Sequence, residues 1–189
     1  KQEKKYILFL DDMIFNHPDY KHYFPPKPNP TGEDIYFKEL NLFFKKVEDQ
    51  TGFEVIISLH PKSSPKKWQT IFPNRKIFTF ATLKLVKNAE FIFVHETTAI
   101  SYPVIFKKPV IFLSSDEIEN SWVFKYIVEK AMSLKSKIIN ITKFNSGNAK
   151  LSFDNFNLEA YKIYSDNYLK HPLSKEVPVW ESLLKNINK

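Results

Sequence analysis

The chain has 189 residues, a formal net charge of +7, 43% hydrophobic residues, no cysteine and only 3 glycines. That length suits one large domain or two small ones with a sizeable core, and the lack of cysteine excludes a disulfide framework and a thiolate zinc site. So few glycines exclude a glycine-rich phosphate loop, so any grip on phosphate has to come from hydroxyls, histidine and lysine. The positive charge suits an anionic ligand or an acidic surface. Its lysines are scattered in short clusters such as Pro65-Lys66-Lys67, with no arginine-rich stripe, so nucleic acid is not an expected partner. No apolar run reaches the ~18 residues that a spanning helix needs.

Tyr6–Leu10 reads as a buried first strand ending at Asp11-Asp12. The following 13–32 segment holds five prolines, which forbid a continuous helix and predict a long loop. Ile35, Leu40, Phe43, Phe44 and Val47 fall at helical spacing over 34–49, with Gly52 as the stop. Glu54–Leu59 is a second strand, cut off by His60-Pro61, and Lys66–Phe72 forms one or two helical turns. Ile77–Phe80 is a short third strand and Ala81–Asn88 a short helix. Phe91–Val94 and Val110–Leu113 are apolar runs too short for helices, separated by about a dozen residues, enough for a helical crossover. Ser114-Ser115-Asp116 then caps a helix predicted over 117–134, with Trp122, Tyr126, Ile127 and Met132 near its apolar face. Ile138–Ile141 is a last strand, and 143–156 reads as a polar turn region. Leu158–Lys170 and Val179–Ile187 are helices of a C-terminal tail.

Strands alternating with helices predict an α/β fold with a doubly wound parallel sheet in a single domain over 1–189, residues 143–189 packing on it as a tail. Right-handed crossovers then bring every strand C-terminus to one edge. That edge collects Asp11-Asp12, His60-Pro61-Lys62, Phe80, His95-Glu96-Thr97-Thr98 and Ser114-Ser115, and ligands bind on that edge in such sheets.

Two exits carry the chemistry. At His60-Pro61-Lys62-Ser63 an imidazole can donate to a phosphate and Lys62 can add a point charge. At Glu96-Thr97-Thr98-Ala99 a threonine caps a helix start, where backbone N–H groups and hydroxyls suit a phosphate. Ser101 lies one turn further on and supports that cap. Glu96 is unfavourable beside an anion, and suits a ribose hydroxyl or a base amino group. Asp11-Asp12 fits a metal pair, a general base or a solvated strand end. A receiver domain is rejected, because Phe80 and Ser114-Ser115 stand where it needs an aspartate and a lysine. His17-Pro18-Asp19 and His22 lie on the loop leaving the first strand, within reach of the same edge.

A strand ending in His60-Pro61, a later strand ending in Thr97-Thr98 at a helix start, and the Lys108-Pro109-Val110-Ile111-Phe112-Leu113 strand resemble the C-terminal, nucleotide-binding domain of GT-B glycosyltransferases. The resemblance, over roughly 5–141, is to the bacterial surface-polysaccharide group: sialyltransferases, polysialyltransferases, capsule transferases and related teichoic acid glycerophosphotransferases. It implies a Rossmann-like half of a GT-B fold and a CMP-linked or other nucleotide-sugar donor, with no metal required. His60 is implied as the catalytic residue, with Pro61, Lys62, Ser63, Glu96, Thr97, Thr98, Ser101 and Ser114 lining the donor site. It further implies an acceptor glycan or lipid-linked glycan held by an N-terminal domain outside this sequence, which commonly supplies the catalytic base. The implied location is the cytoplasm, at the inner face of the membrane. Leu59 stands where a basic residue often precedes His-Pro, and threonines stand where serines are common, so the donor stays open. A nucleotide-sugar epimerase or hydrolase of GT-B type and a non-catalytic flavodoxin-like scaffold are the alternative readings.

Overall fold

A computed structural model describes residues 5–153 and 156–174. It contains a six-stranded parallel sheet in the order β3-β2-β1-β4-β5-β6. The strands are β1 (Tyr6–Leu10), β2 (Glu54–Ser58), β3 (Ile77–Phe78), β4 (Phe91–Val94), β5 (Val110–Ser114) and β6 (Ile138–Asn140). Central strands are apolar and buried along their length, as a sheet covered on both faces requires. The chain runs outward from β1 to β3, returns to the centre at β4, and runs outward the other way to β6. The order therefore reverses between β1 and β4, which opens a crevice beyond their C-terminal ends.

The long helix α1 (Glu33–Thr51) buries Tyr36, Phe37, Leu40, Phe43, Phe44 and Val47. Tyr36 replaces the expected Ile35 on the inner face, and Ile35 is half exposed. The aromatic side chains interlock: Phe43 meets Phe93 of β4 at 5.2 Å between centroids, and Phe44 meets Phe9 of β1 at 5.3 Å edge to face. Gly52 ends the helix with φ 71°, the left-handed conformation that a C-terminal cap needs.

The remaining helices are α2 (Pro65–Ile71), α3 (Thr82–Asn88), α4 (Ser101–Ile105), α5 (Asp116–Glu119), α6 (Phe124–Ser133), α7 (Ile141–Ser146) and α8 (Leu158–Tyr164). The single helix expected over 117–134 is in fact two. Asn120 Nδ2 and Ser121 Oγ donate to the carbonyls of Asp116 and Ile118, competing with the helical ladder and breaking it at 120–123. Ile127 and Ala131 form the buried stripe of α6, whereas Met132 faces solvent.

Helix α7 occupies part of the expected polar turn region. Its signal was local: Asn140 accepts from Lys143 N–H as the N-cap, Ile141 and Phe144 are buried one turn apart, and Gly147 follows. Strand β3 is two residues shorter than expected, because Phe80 turns to φ 55° and out into solvent. Helix α8 passes at its end into a π-helical turn, Ser165–Leu169, which leaves Tyr168 exposed. The helix expected over 179–187 lies outside the described residues. Among the described residues no helix is long and apolar enough to cross a membrane.

Candidate functional site

Three strand exits meet at the crevice, and two buried aspartates tie them together. Asp11 Oδ1 accepts from Met13 N–H at 2.9 Å, and its Oδ2 accepts from His60 N–H at 3.1 Å and from the Ser63 hydroxyl. Met13 adopts φ 56° to make this turn. The carboxylate is thus a bracket holding the β2 exit against β1. Burial pushes its pKa up from 3.8 to about 6, outweighing the hydrogen bonds from Ser63, Met13 and His60 that pull it down. Asp12 does the same on the other side, its Oδ2 accepting from Glu96 N–H at 2.8 Å. Its Oδ1 lies 3.3 Å from Nδ1 of His95, a fully buried imidazole packed edge-on against Phe9. The tyrosine ring of Tyr36 covers the same imidazole at 5.7 Å. Nothing in the sequence around His95 distinguished it from the exposed turn residues that follow.

The β2 and β4 exits flank β1, two strand spacings or about 10 Å apart. His60 stands on the first, half exposed. Its pKa is lowered by burial first and then by the nearby positive charges of His17 and Lys62, against the pull of Asp12 and Asp19. Pro61 and Lys62 are exposed beside it, and Lys62 Nζ pairs with Asp19 at 3.1 Å. Ser63 is buried, its hydroxyl committed to Asp11.

On the second exit Thr97 Oγ1 accepts from Ala99 N–H at 3.1 Å and starts a 3₁₀ turn, Thr98–Ile100, that runs into α4. Thr98 is exposed, and Ser101 Oγ donates to the Thr98 carbonyl at 3.3 Å. Glu96 has a counter-charge the sequence did not reveal. Lys130 of α6 pairs with its carboxylate and also donates to the Thr97 carbonyl at 3.1 Å. Ser114, at the β5 exit, is fully buried and donates to Glu119 at 3.0 Å. Of the nine sequence-derived site residues, Ser63 and Ser114 therefore brace the edge, and the others line it around β1.

The 13–32 segment folds back over this edge. Its 3₁₀ turn, Pro18–His22, brings His17 to 5.2 Å from His60, ring edge to ring face. Trp122 holds the segment from the far side, its indole N–H donating to the Pro28 carbonyl at 2.8 Å while Tyr20 and Tyr23 pack on its ring. Further along the edge an open cavity of ≈ 680 Å³ lies between the segment and the start of α5, lined by Phe15, Asn16, Thr31, Glu117 and Asn120 among others. Glu117 closes its side, accepting from Gly32 N–H at 2.8 Å and from the Thr31 hydroxyl. Arg75 lies elsewhere, paired twice with Glu48 at 2.5 and 3.1 Å.

No protein-family model matches the chain. No curated protein matches it either. Solved structures do. The chain is similar to a spinosyn rhamnosyltransferase complexed with spinosyn aglycone, at 11% identity and TM-score 0.52, over 100% of this chain and 46% of that one. It is also similar to Methanocaldococcus jannaschii UDP-GlcNAc 2-epimerase in complex with UDP-GlcNAc and UDP, at 17% identity and TM-score 0.45, over 85% of this chain and 44% of that one. A third is the Thermosulfurimonas dismutans KpsC β-Kdo 2,4 transferase, at 12% identity and TM-score 0.36, over 60% of this chain and 35% of that one. The chain spans less than half the length of each of these proteins. The six-stranded parallel sheet flanked by helices is thus a Rossmann-like α/β fold, similar to that of the rhamnosyltransferase structure.

Proposed function

We propose that this chain is the donor-binding domain of a nucleotide-sugar-dependent glycosyltransferase acting in bacterial surface-glycan synthesis. The observation that carries the reading is the placement of His60 and of Thr97-Thr98 on the two exits that flank β1 at the reversal of strand order. The motif resemblance supports the transferase class, and the structural likeness supports the fold on which such a site is built. In this reading the donor's phosphates lie across the β1 exit. His60, Lys62 and the Thr97-Thr98 turn stabilise the negative charge that grows on the leaving phosphate as the anomeric carbon–oxygen bond breaks. Pro61 holds the direction of the His60 loop, and Ser101 braces the Thr98 turn. Glu96 addresses a ribose hydroxyl or base amino group, with Lys130 keeping its charge from opposing the phosphates. No metal takes part in this account. The acceptor and the group that deprotonates it belong to a further domain, and the setting is the cytoplasmic face of the membrane.

Calorimetry of this chain with CMP, CDP, UDP and GDP tests the reading. One nucleotide should bind, and binding should be lost in His60→Ala and in Thr98→Ala. Full-strength binding by His60→Ala would remove the site assignment.

A further inference from the structure

The chain contains three His-Pro dipeptides: His17-Pro18, His60-Pro61 and His171-Pro172. All three fold alike. In each, Nδ1 of the imidazole accepts the backbone N–H of the residue after the proline, at 3.2 Å from Asp19, Lys62 and Leu173 respectively. Proline has no N–H of its own and a fixed φ, so the next N–H is the first that can turn back onto the ring. The consequence is chemical. An Nδ1 that accepts cannot carry the proton, so the neutral ring is the Nε2–H tautomer, with its donor directed away from the local backbone.

The turn alone does not make a site, because His171 has it on the exposed chain beyond α8. What separates the other two is convergence. His17 comes from the segment after β1 and His60 from the exit of β2, and their rings meet at 5.2 Å. Two pre-set imidazole donors in contact, with the Lys62 ammonium beside them, suit a group with several acceptor oxygens on one centre. The titratable groups facing the pair are Lys62, Asp19, Asp12 and Tyr20, whose ring packs on His17 at 5.7 Å. Asp19 pairs with Lys62 at 3.1 Å and also lies 3.7 Å from Nδ1 of His17, and Asp12 accepts Glu96 N–H. Mutual repulsion between the two rings opposes double protonation, and an anion bridging them relieves it.

We propose that His17 and His60 form a paired-imidazole clamp for a phosphate or pyrophosphate group, so that the segment after β1 supplies a second donor to the leaving phosphate. This rests on the donor-binding reading and deepens it.

The test uses inorganic pyrophosphate as the probe, with the imidazole carbon-bound proton resonances of the five histidines followed by NMR and affinity measured by calorimetry. Pyrophosphate should shift the His17 and His60 resonances together, with the same apparent affinity, and leave His171 in place. His17→Ala should weaken binding by about tenfold, the loss of one charge-assisted hydrogen bond. His171→Ala, which removes the same turn where no second imidazole meets the ring, should not weaken it. His17→Gln keeps an N–H donor, so it should retain more binding than His17→Ala. If pyrophosphate shifts His60 alone and His17→Ala binds as the parent does, the clamp is overturned and the donor site stands. If neither pyrophosphate nor any nucleotide binds, the donor site itself falls and the clamp with it.

Discussion

The carboxylate of Asp12 accepts the backbone N–H of Glu96 at 2.8 Å, joining residues 84 positions apart at the point where the sheet changes direction. The same carboxylate faces the buried His95. One side chain at the end of β1 therefore holds the start of the Thr97-Thr98 turn in place and faces an imidazole that solvent cannot reach. Its neighbour Asp11 does the equivalent for His60, so both exits that flank β1 are registered to it by acidic brackets.

Asp12→Ala should strand the Glu96 N–H and leave His95 facing a void. The expected cost is about 2–4 kcal/mol of unfolding free energy. Asp12→Asn, which keeps an acceptor for Glu96 N–H, should cost less. Urea denaturation of the three proteins checks both expectations, and equal costs for the two variants would mean the hydrogen bond contributes nothing separable.

Asp11 sets a stability gradient with pH. Its folded pKa of about 6 lies above the ordinary 3.8, so the folded protein holds a proton that the unfolded chain has released. The associated stability is complete below pH 3.8 and is lost as pH rises through about 6. Above that, the ionised carboxylate is a net cost on the order of 3 kcal/mol. Asp11→Asn lacks this titration. Between pH 4 and pH 7 the parent should therefore lose stability relative to the variant, as read by urea midpoints at each pH. A difference that stays flat across this range would mean that Asp11 does not titrate there.

Lys130→Met removes the counter-charge of Glu96 and a donor to the Thr97 carbonyl. The pair is partly exposed, so the stability loss should be only about 1 kcal/mol. Nucleotide affinity should fall severalfold, because an unbalanced carboxylate then faces the phosphates. Adding Glu96→Gln should recover much of that affinity, and a double-mutant cycle by calorimetry measures the recovery. Strictly additive losses would mean that Lys130 and Glu96 act independently.

Trp122→Phe preserves ring contacts to Tyr20 and Tyr23 but deletes the indole N–H bond to Pro28. The segment at 17–30 should then open more readily. Faster amide exchange across 19–29 is the expected readout, with the α1 core unchanged. Since His17 rides on this segment, pyrophosphate binding should weaken while the fold stays intact.

Much of the fold was legible because periodicity reports burial directly. Tyr6–Leu10, Phe91–Val94 and Val110–Ser114 are short, nearly uninterrupted apolar runs, and both faces of their strands are covered. Helix boundaries were less legible where polar side chains compete with the backbone, as at Asn120 and Ser121, or supply a cap within an otherwise polar stretch, as at Asn140.

The strand exits, and with them the set of residues at one edge, follow from the order of apolar runs and the handedness of crossovers, and these the sequence alone determines. Which of those residues stand exposed at the edge and which brace it was decided only by tertiary structure. Ser63 and Ser114 turned inward because Asp11 and Glu119 wait there as acceptors. His95 was buried because β1 and α1 close over it, and Glu96 was neutralised by a lysine 34 residues away. Local pattern carries information about a residue's own element; the partners of a polar atom come from other elements, and only packing brings them within hydrogen-bond range.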